Sequence, residues 1–210
     1  MSSGFYKLNL SNFNTKNVLR IFFMFSDNAN SEELDISNFD TSNGIDMDNM
    51  FSDQTSMKNL TVKLDTHNVK NMHCMFCLSN SLKFLNLSSF DTQNVVSMNS
   101  MFSYCESLED LDISNFNTTN VKEFSLMFSS CRSIKVLDLS FFDTTNVQSY
   151  GNMFSGCENL QRLDISSFHF SENQKFLNVY TQKPLVIIVN KDIEKYVKEQ
   201  ARDTWMVIVK

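Results

Sequence analysis

The side chains of this chain that could do chemistry are few, and most of them are periodic. Five cysteines (Cys74, Cys77, Cys105, Cys131, Cys157) and three histidines (His67, His73, His169) accompany 24 acidic residues. Cys74 and Cys77 form a single C-x-x-C with His67 and His73 nearby, donor types that suit zinc. A tetrahedral site of this kind needs a second spaced ligand pair, which the sequence lacks, so no metal and no cofactor is assigned. Cys105, Cys131 and Cys157 recur every 26 residues. Stacked one above another, their parallel Cβ vectors suit a disulfide poorly, and small buried thiols are the favoured reading. The chain carries no G-x-S-x-G, H-E-x-x-H, phosphate-loop or dinucleotide fingerprint. Serine and aspartate are abundant because a repeat multiplies them, so any apparent triad is chance and no enzymatic activity is expected.

One column does hold functional promise. Asn9, Asp35, Thr61, Asn86, Asp112, Asp138 and Asp164 occupy the same outward position of successive strand segments. Carboxylates stacked on neighbouring parallel strands repel one another, which a fold does not need for its own stability. Asp35, Asn86, Asp112, Asp138 and Asp164 are therefore the candidate binding surface. Its natural complements are a basic partner surface or a weakly held Ca²⁺. The plainer alternative is that the carboxylates keep the sheet face soluble.

These positions are defined by a repeat. The segments SSFDTQNVVSMNSMF, ISNFNTTNVKEFSLMF and LSFFDTTNVQSYGNMF restate one another, and Phe13, Phe39, Phe90, Phe116, Phe142 and Phe168 share one register, with Leu64 replacing the aromatic once. Met-Phe pairs at 24–25, 50–51, 75–76, 101–102, 127–128 and 153–154 mark six units. The segments Leu82 to Leu87 and Leu108 to Ile113 fit L-x-x-L-x-L, and the alternation of Leu111 and Ile113 with Asp112 predicts a strand with one buried face. Val95, Met98, Met101 and Phe102 suit a short helix or 3₁₀ turn beneath the sheet. The expected fold is an α/β repeat solenoid, a leucine-rich-repeat-like parallel sheet with short helices or 3₁₀ turns on its other side. The Phe and Met-Phe columns are expected to be core ladders. The Asn17, Asn43, Asn68, Asn94, Asn120 and Asn146 column is expected to point inward and bond the backbone of adjoining coils. The Asp-Thr pairs, such as Asp91-Thr92, are expected to form Asx or Ser/Thr turns.

The unit Leu111-Asp112-Ile113-Ser114-Asn115-Phe116-Asn117-Thr118-Thr119-Asn120-Val121, followed by Met127-Phe128 and Cys131, resembles that of the BspA-like leucine-rich-repeat surface proteins, in their mycoplasma-type variant. The resemblance covers about residues 1–168. It implies a parallel-stacked solenoid at a microbial or parasite surface that binds a protein or cell-surface ligand, without enzymatic activity. Members of that family usually carry an export signal; none is visible in Met1 to Phe25, and a cytoplasmic location is the alternative.

Composition sets the remaining bounds. Residues 1–168 carry 19 acids against 11 bases, which disfavours a nucleic-acid partner. The longest apolar runs span five residues, so no transmembrane segment is expected. After Phe168 the repeat decays: Pro184 to Val189 reads as a buried strand, Asn190 or Asp192 can cap a helix to about Arg202, and Trp205 to Val209 closes as a strand. Residues 169–210 are thus expected to form a β-α-β cap on a 1–168 solenoid. The function expected is a non-enzymatic interaction or adhesion module, with an intracellular, self-assembling scaffold as the rival.

Overall fold

The structure, a computed structural model, describes residues 14–27, 36, 39–169 and 177–210. The chain winds as a parallel-strand β-solenoid in which two ladders run along the stack. The first joins the L-x-L segments as three-residue strands: β1 (Asn59–Thr61), β2 (Phe84–Asn86), β3 (Asp110–Asp112), β4 (Val136–Asp138) and β5 (Arg162–Asp164). Leu60, Leu85, Leu111, Leu137 and Leu163 occupy the central place of these strands, and pairing aligns them, Leu60 with Leu85, Leu85 with Leu111 and Leu137 with Leu163. The ladder is not continuous. It divides into β1-β2-β3 and a second sheet beginning at β4, and Leu111 beside the division is only half-buried. The strand segments around Asn9 and Asp35 lie outside the described residues.

The second ladder replaces the helix or 3₁₀ turn expected from the Val-Met-Met-Phe spacing. Five successive parallel bridges link Arg20, Asp46, Asn71, Ser97, Glu123 and Ser149. From there each coil continues as linked turns whose alternate N–H groups reach the next coil. Met72 donates to the Ser97 carbonyl at 3.0 Å, Cys74 to Asn99 at 2.9 Å, Phe76 to Met101 at 3.0 Å and Leu78 to Ser103 at 2.7 Å. A helix would spend those N–H groups four residues back along its own chain. Two left-handed residues per coil also break helical geometry, for example Cys74 (φ 52°) with Leu78 (φ 62°) and Ser100 (φ 57°) with Tyr104 (φ 60°). Spacing alone gave the correct buried face, because a turn ladder and a helix can bury the same side chains.

Stacking supplies the core that no single coil could make. Phe25, Phe51, Phe76, Phe102, Phe128 and Phe154 form one column with ring centroids 5.6–6.0 Å apart and interplanar angles of 12° or less. Met47, Met72, Met98, Phe124 and Tyr150 form another beside it, all buried, and Phe90, Phe116 and Phe142 belong to the same core.

Beyond the repeats, β6 (Leu185–Val189) pairs in parallel with β5, and β7 (Trp205–Val209) pairs in parallel with β6. Between them α1 (Lys191–Gln200) starts at Asn190, whose side chain accepts the N–H groups of Asp192 and Ile193. Ile193 and Val197 are its buried face. The expected Asn190 cap, helix and closing strand thus appear, and β6 and β7 extend the β4-β5 sheet.

Candidate functional site

The outward sheet positions form two columns. One runs Asn59, Phe84, Asp110 and then, past the division, Val136, Arg162, Val186 and Met206. The other runs Thr61, Asn86, Asp112, then Asp138, Asp164, Ile188 and Ile208. Phe84 and Val136 stand 47% and 57% exposed on this face, two of several large apolar side chains that the described residues expose. Asp112 and Asp138 are exposed beside them.

The candidate carboxylates do not behave as one surface. Asp35 lies outside the described residues. Asn86 is half-buried, and its Oδ1 accepts the Ser88 N–H at 3.0 Å. Asp112 likewise accepts the N–H of Ser114 at 3.0 Å and its hydroxyl at 2.7 Å, and Asp138 accepts the Ser140 N–H at 3.0 Å. The column therefore has a structural task that spacing did not reveal: each side chain closes an Asx turn at the end of its strand. Asp164 is only 1% exposed, and the Lys210 ammonium lies 2.6 Å from its Oδ2. It is withdrawn from any partner by a lysine 46 residues away, a contact no repeat pattern could announce. What remains open for recognition is Asp112 and Asp138 with Phe84 and Val136.

The Asx turns make acid stability predictable. The Ser42 hydroxyl and N–H hold Asp40 below the ordinary carboxylate range, and the His67 side chain and the Thr145 N–H do the same for Asp65 and Asp143. Asp112 is lowered by the Ser114 hydroxyl and N–H. At Asp164 burial pushes upward, but hydrogen bonds from Lys210 and Ser166 outweigh it and the net shift is downward. Depressed folded-state values contribute stability above the unfolded carboxylate pKa of about 3.9, and that stability is lost as pH falls through the folded values. Thermal melts should therefore hold their midpoint from neutrality to about pH 5 and fall steadily below about pH 4. A midpoint that rises on acidification would mean that carboxylate repulsion outweighs these bonds.

The asparagine column bonds the adjoining coils and the Asp-Thr pairs close Asx turns, both as expected, but the asparagines do not point inward. The asparagines are at the rim: Asn43 and Asn94 are exposed, and their Nδ2 groups donate back to the Lys16 and His67 carbonyls of the preceding coil at 2.7 Å. Asn68, Asn120 and Asn146 repeat the bond at 2.7–2.8 Å. The inward residue is the threonine of each Asp-Thr pair. Thr41, Thr66, Thr92 and Thr118 are buried, and each Oγ1 donates to a carbonyl of the next coil at 2.8–2.9 Å. Thr66 and Thr92 also accept an N–H from that coil at 2.8 Å. The signal was present in sequence as a threonine in every unit, but a local turn explained it too easily.

All five cysteines are free. Cys105, Cys131 and Cys157 are buried, and each thiol donates to a phenylalanine carbonyl of the preceding coil at 3.1 Å. Ser79 and Gln54 perform the same task toward Phe51 and Phe25. Burial pushes the Cys105 and Cys157 thiols up to about 12, so they stay protonated and unreactive. Among the described residues no group of three or more His, Cys, Asp or Glu side chains could hold a metal ion. His67 pairs with Asp65 at 2.5 Å and its Nε2 contacts the Asn68 amide at 2.8 Å, an exposed cluster at a turn. No helix among the described residues is long and apolar enough to cross a membrane.

Coils in register, ladders of like side chains and an uncovered outer face define a repeat protein of the parallel β-solenoid class. Residues 1–83, 46–168 and 78–196 match, in three overlapping stretches, the family described as Mycoplasma protein of unknown function, DUF285. The chain belongs to that family. Comparison with curated proteins and with solved structures gives no match.

Proposed function

We propose that this protein is a non-enzymatic interaction module, displayed at a cell surface or secreted, that binds a protein or surface glycan through its outer sheet face and adjoining loops. One contrast carries the reading. The inward strand position is Leu60, Leu85, Leu111, Leu137, Leu163, whereas the outward neighbour changes from Asn59 to Phe84, Asp110, Val136 and Arg162. Along this strand column the scaffold repeats where it packs and varies at the outward neighbour, as a surface for recognition does. The L-x-x-L-x-L strands and the BspA-like resemblance support the leucine-rich-repeat and adhesion reading. In it residues 1–168 are the solenoid, and 169–210 cap it by laying α1, β6 and β7 over the last coil.

The test compares the wild-type chain with a variant carrying Phe84→Ser, Val136→Ser, Asp112→Asn and Asp138→Asn on arrays of extracellular proteins and glycans. Asparagine keeps the Asx acceptor, so folding is preserved while the charge is removed. The expected result is salt-sensitive binding by the wild type that falls at least about tenfold in the variant, as screening of an acidic face requires. Equal binding by both proteins removes this face from the account.

A second reading, an intracellular self-assembling scaffold, has its own observation. β7 is the last strand of its sheet, and it exposes Met206 (61%) and Ile208 (40%) without a lysine or proline between Trp205 and Val209 to discourage pairing. Concentration-dependent oligomers in sedimentation, abolished by Val207→Pro, would favour it over adhesion.

A further inference from the structure

One turn of the solenoid departs from the others in chemistry while keeping their geometry. In every coil the first left-handed residue accepts, through its carbonyl, the N–H three residues on: Ser26 to Phe23, Ser52 to Asn49, Cys77 to Cys74, Ser103 to Ser100, Ser129 to Leu126 and Ser155 to Asn152, at 3.0–3.3 Å. Five of these turns end in serine. The third places cysteine at both ends, so neither thiol is demanded by the repeat.

The turn brings the pair together. A turn closed by such a bond holds its end Cα atoms within about 7 Å, which overlaps the roughly 4.4–6.8 Å that a disulfide spans. The Cys77 N–H donates to the Cys74 carbonyl at 3.1 Å, so the two side chains leave opposite ends of one closed turn, and the Cys77 thiol reaches the Asn49 Oδ1 at 3.7 Å. Cys74 is half-exposed and Cys77 buried, an arrangement that lets an outside molecule reach only the first. The stacked cysteines differ on each count, being buried and each bonded to a backbone carbonyl.

We propose that Cys74 and Cys77 form a redox-active dithiol site whose substrate is a small-molecule disulfide, with Cys74 as the attacking thiol and Cys77 as the resolving one. The neighbouring Cys77 thiol, aided by the Ser100 hydroxyl, holds Cys74 below the ordinary thiol value against the opposing pull of burial and Asp48. Cys77 is pushed up by the neighbouring Cys74 and by burial, and keeps its proton until Cys74 has reacted. The Cys74 thiolate attacks one sulfur of the disulfide RSSR; a Cys74–SR bond forms, the S–S bond breaks and RS⁻ leaves. Cys77, losing its proton, then attacks the Cys74 sulfur and expels the second RS⁻. The two protons end on the released thiols. Two electrons pass from the cysteines to RSSR, giving a Cys74–Cys77 disulfide and two RSH.

Oxidised glutathione under native conditions is the probe, with thiol counting and peptide mass spectrometry as readouts on the full chain. The expected result is a fall from five free thiols to three, with the Cys74–Cys77 disulfide reversed by dithiothreitol. Cys77→Ser, which restores the serine of the other coils, should instead accumulate glutathione on Cys74, and Cys74→Ser should leave Cys77 unmodified. Retention of all five thiols, a glutathione adduct persisting on Cys74 in the wild type, or equal oxidation of Cys105, Cys131 or Cys157 would each overturn the assignment.

Discussion

Phe102→Ala should lower the stability of this protein by about 3–5 kcal/mol, the range for emptying a buried aromatic site. The ring is fully buried, and its centroid lies 5.9 Å from that of Phe76 and 5.7 Å from that of Phe128. Removing it opens a void in the middle of a six-ring column and withdraws contacts from two coils at once. Nearest-neighbour coupling concentrates the damage, because coils on either side are held mainly through the one between them. Phe84→Ala is the internal control: its side chain is 47% exposed, and it should cost less than about 1 kcal/mol. Urea denaturation measures both. Similar losses for the two variants would contradict the stacked column.

Thr92→Val should be the most damaging replacement that leaves shape almost unchanged. The Thr92 Oγ1 donates to the Asn117 carbonyl at 2.9 Å and accepts the Asn117 N–H at 2.8 Å. Valine fills the space and satisfies neither group. At about 1–3 kcal/mol for each of the two polar groups left without a partner, a loss of about 2–6 kcal/mol is expected. Thr92→Ser retains the hydroxyl and should lose less than about 1 kcal/mol, chiefly from the missing methyl. The comparison is the decisive part: if valine proves as stable as serine, the bond between coils is not what holds this edge. The threonine column would then be a turn-former of the kind its local sequence suggests.

Those two variants mark where the sequence was and was not informative. The strands, the phenylalanine column and the buried stripe were legible because a 26-residue period forces like residues to meet, and apolar alternation fixes which face is inside. The cysteine position was legible as well, since Ser79 and Gln54 could replace the thiol only if it served a small common task. The turn ladder was not. Apolar residues spaced by three and four fit a helix equally well, and nothing local betrays left-handed residues such as Leu78, Tyr104 and Leu126 (φ 60–62°). The asparagine and threonine columns are both invariant and both bond between coils, so invariance could not say which of them points inward.

The candidate surface was legible only in part, for a related reason. Alternation correctly put Asp112 and Asp138 outside. It could not foresee that each closes an Asx turn, or that the chain returns to place Lys210 against Asp164. Repeat periodicity describes contacts that recur. The ion pair occurs once, and Phe84 and Val136 drew no notice because single apolar residues at outward positions break the pattern that identified the column.

Distances along the stack test the central proposition most directly. Lys16, Thr119 and Thr145 are exposed and occupy one column of the coils. With the five cysteines replaced by serine, spin labels at Lys16 and Thr119, four coils apart, should lie about 19 Å from each other, and labels at Lys16 and Thr145 about 24 Å, since each coil adds about 4.8 Å. Pulsed dipolar spectroscopy reads both separations. A second distance no longer than the first, or one that bears no relation to the number of intervening coils, would contradict a single stack in register.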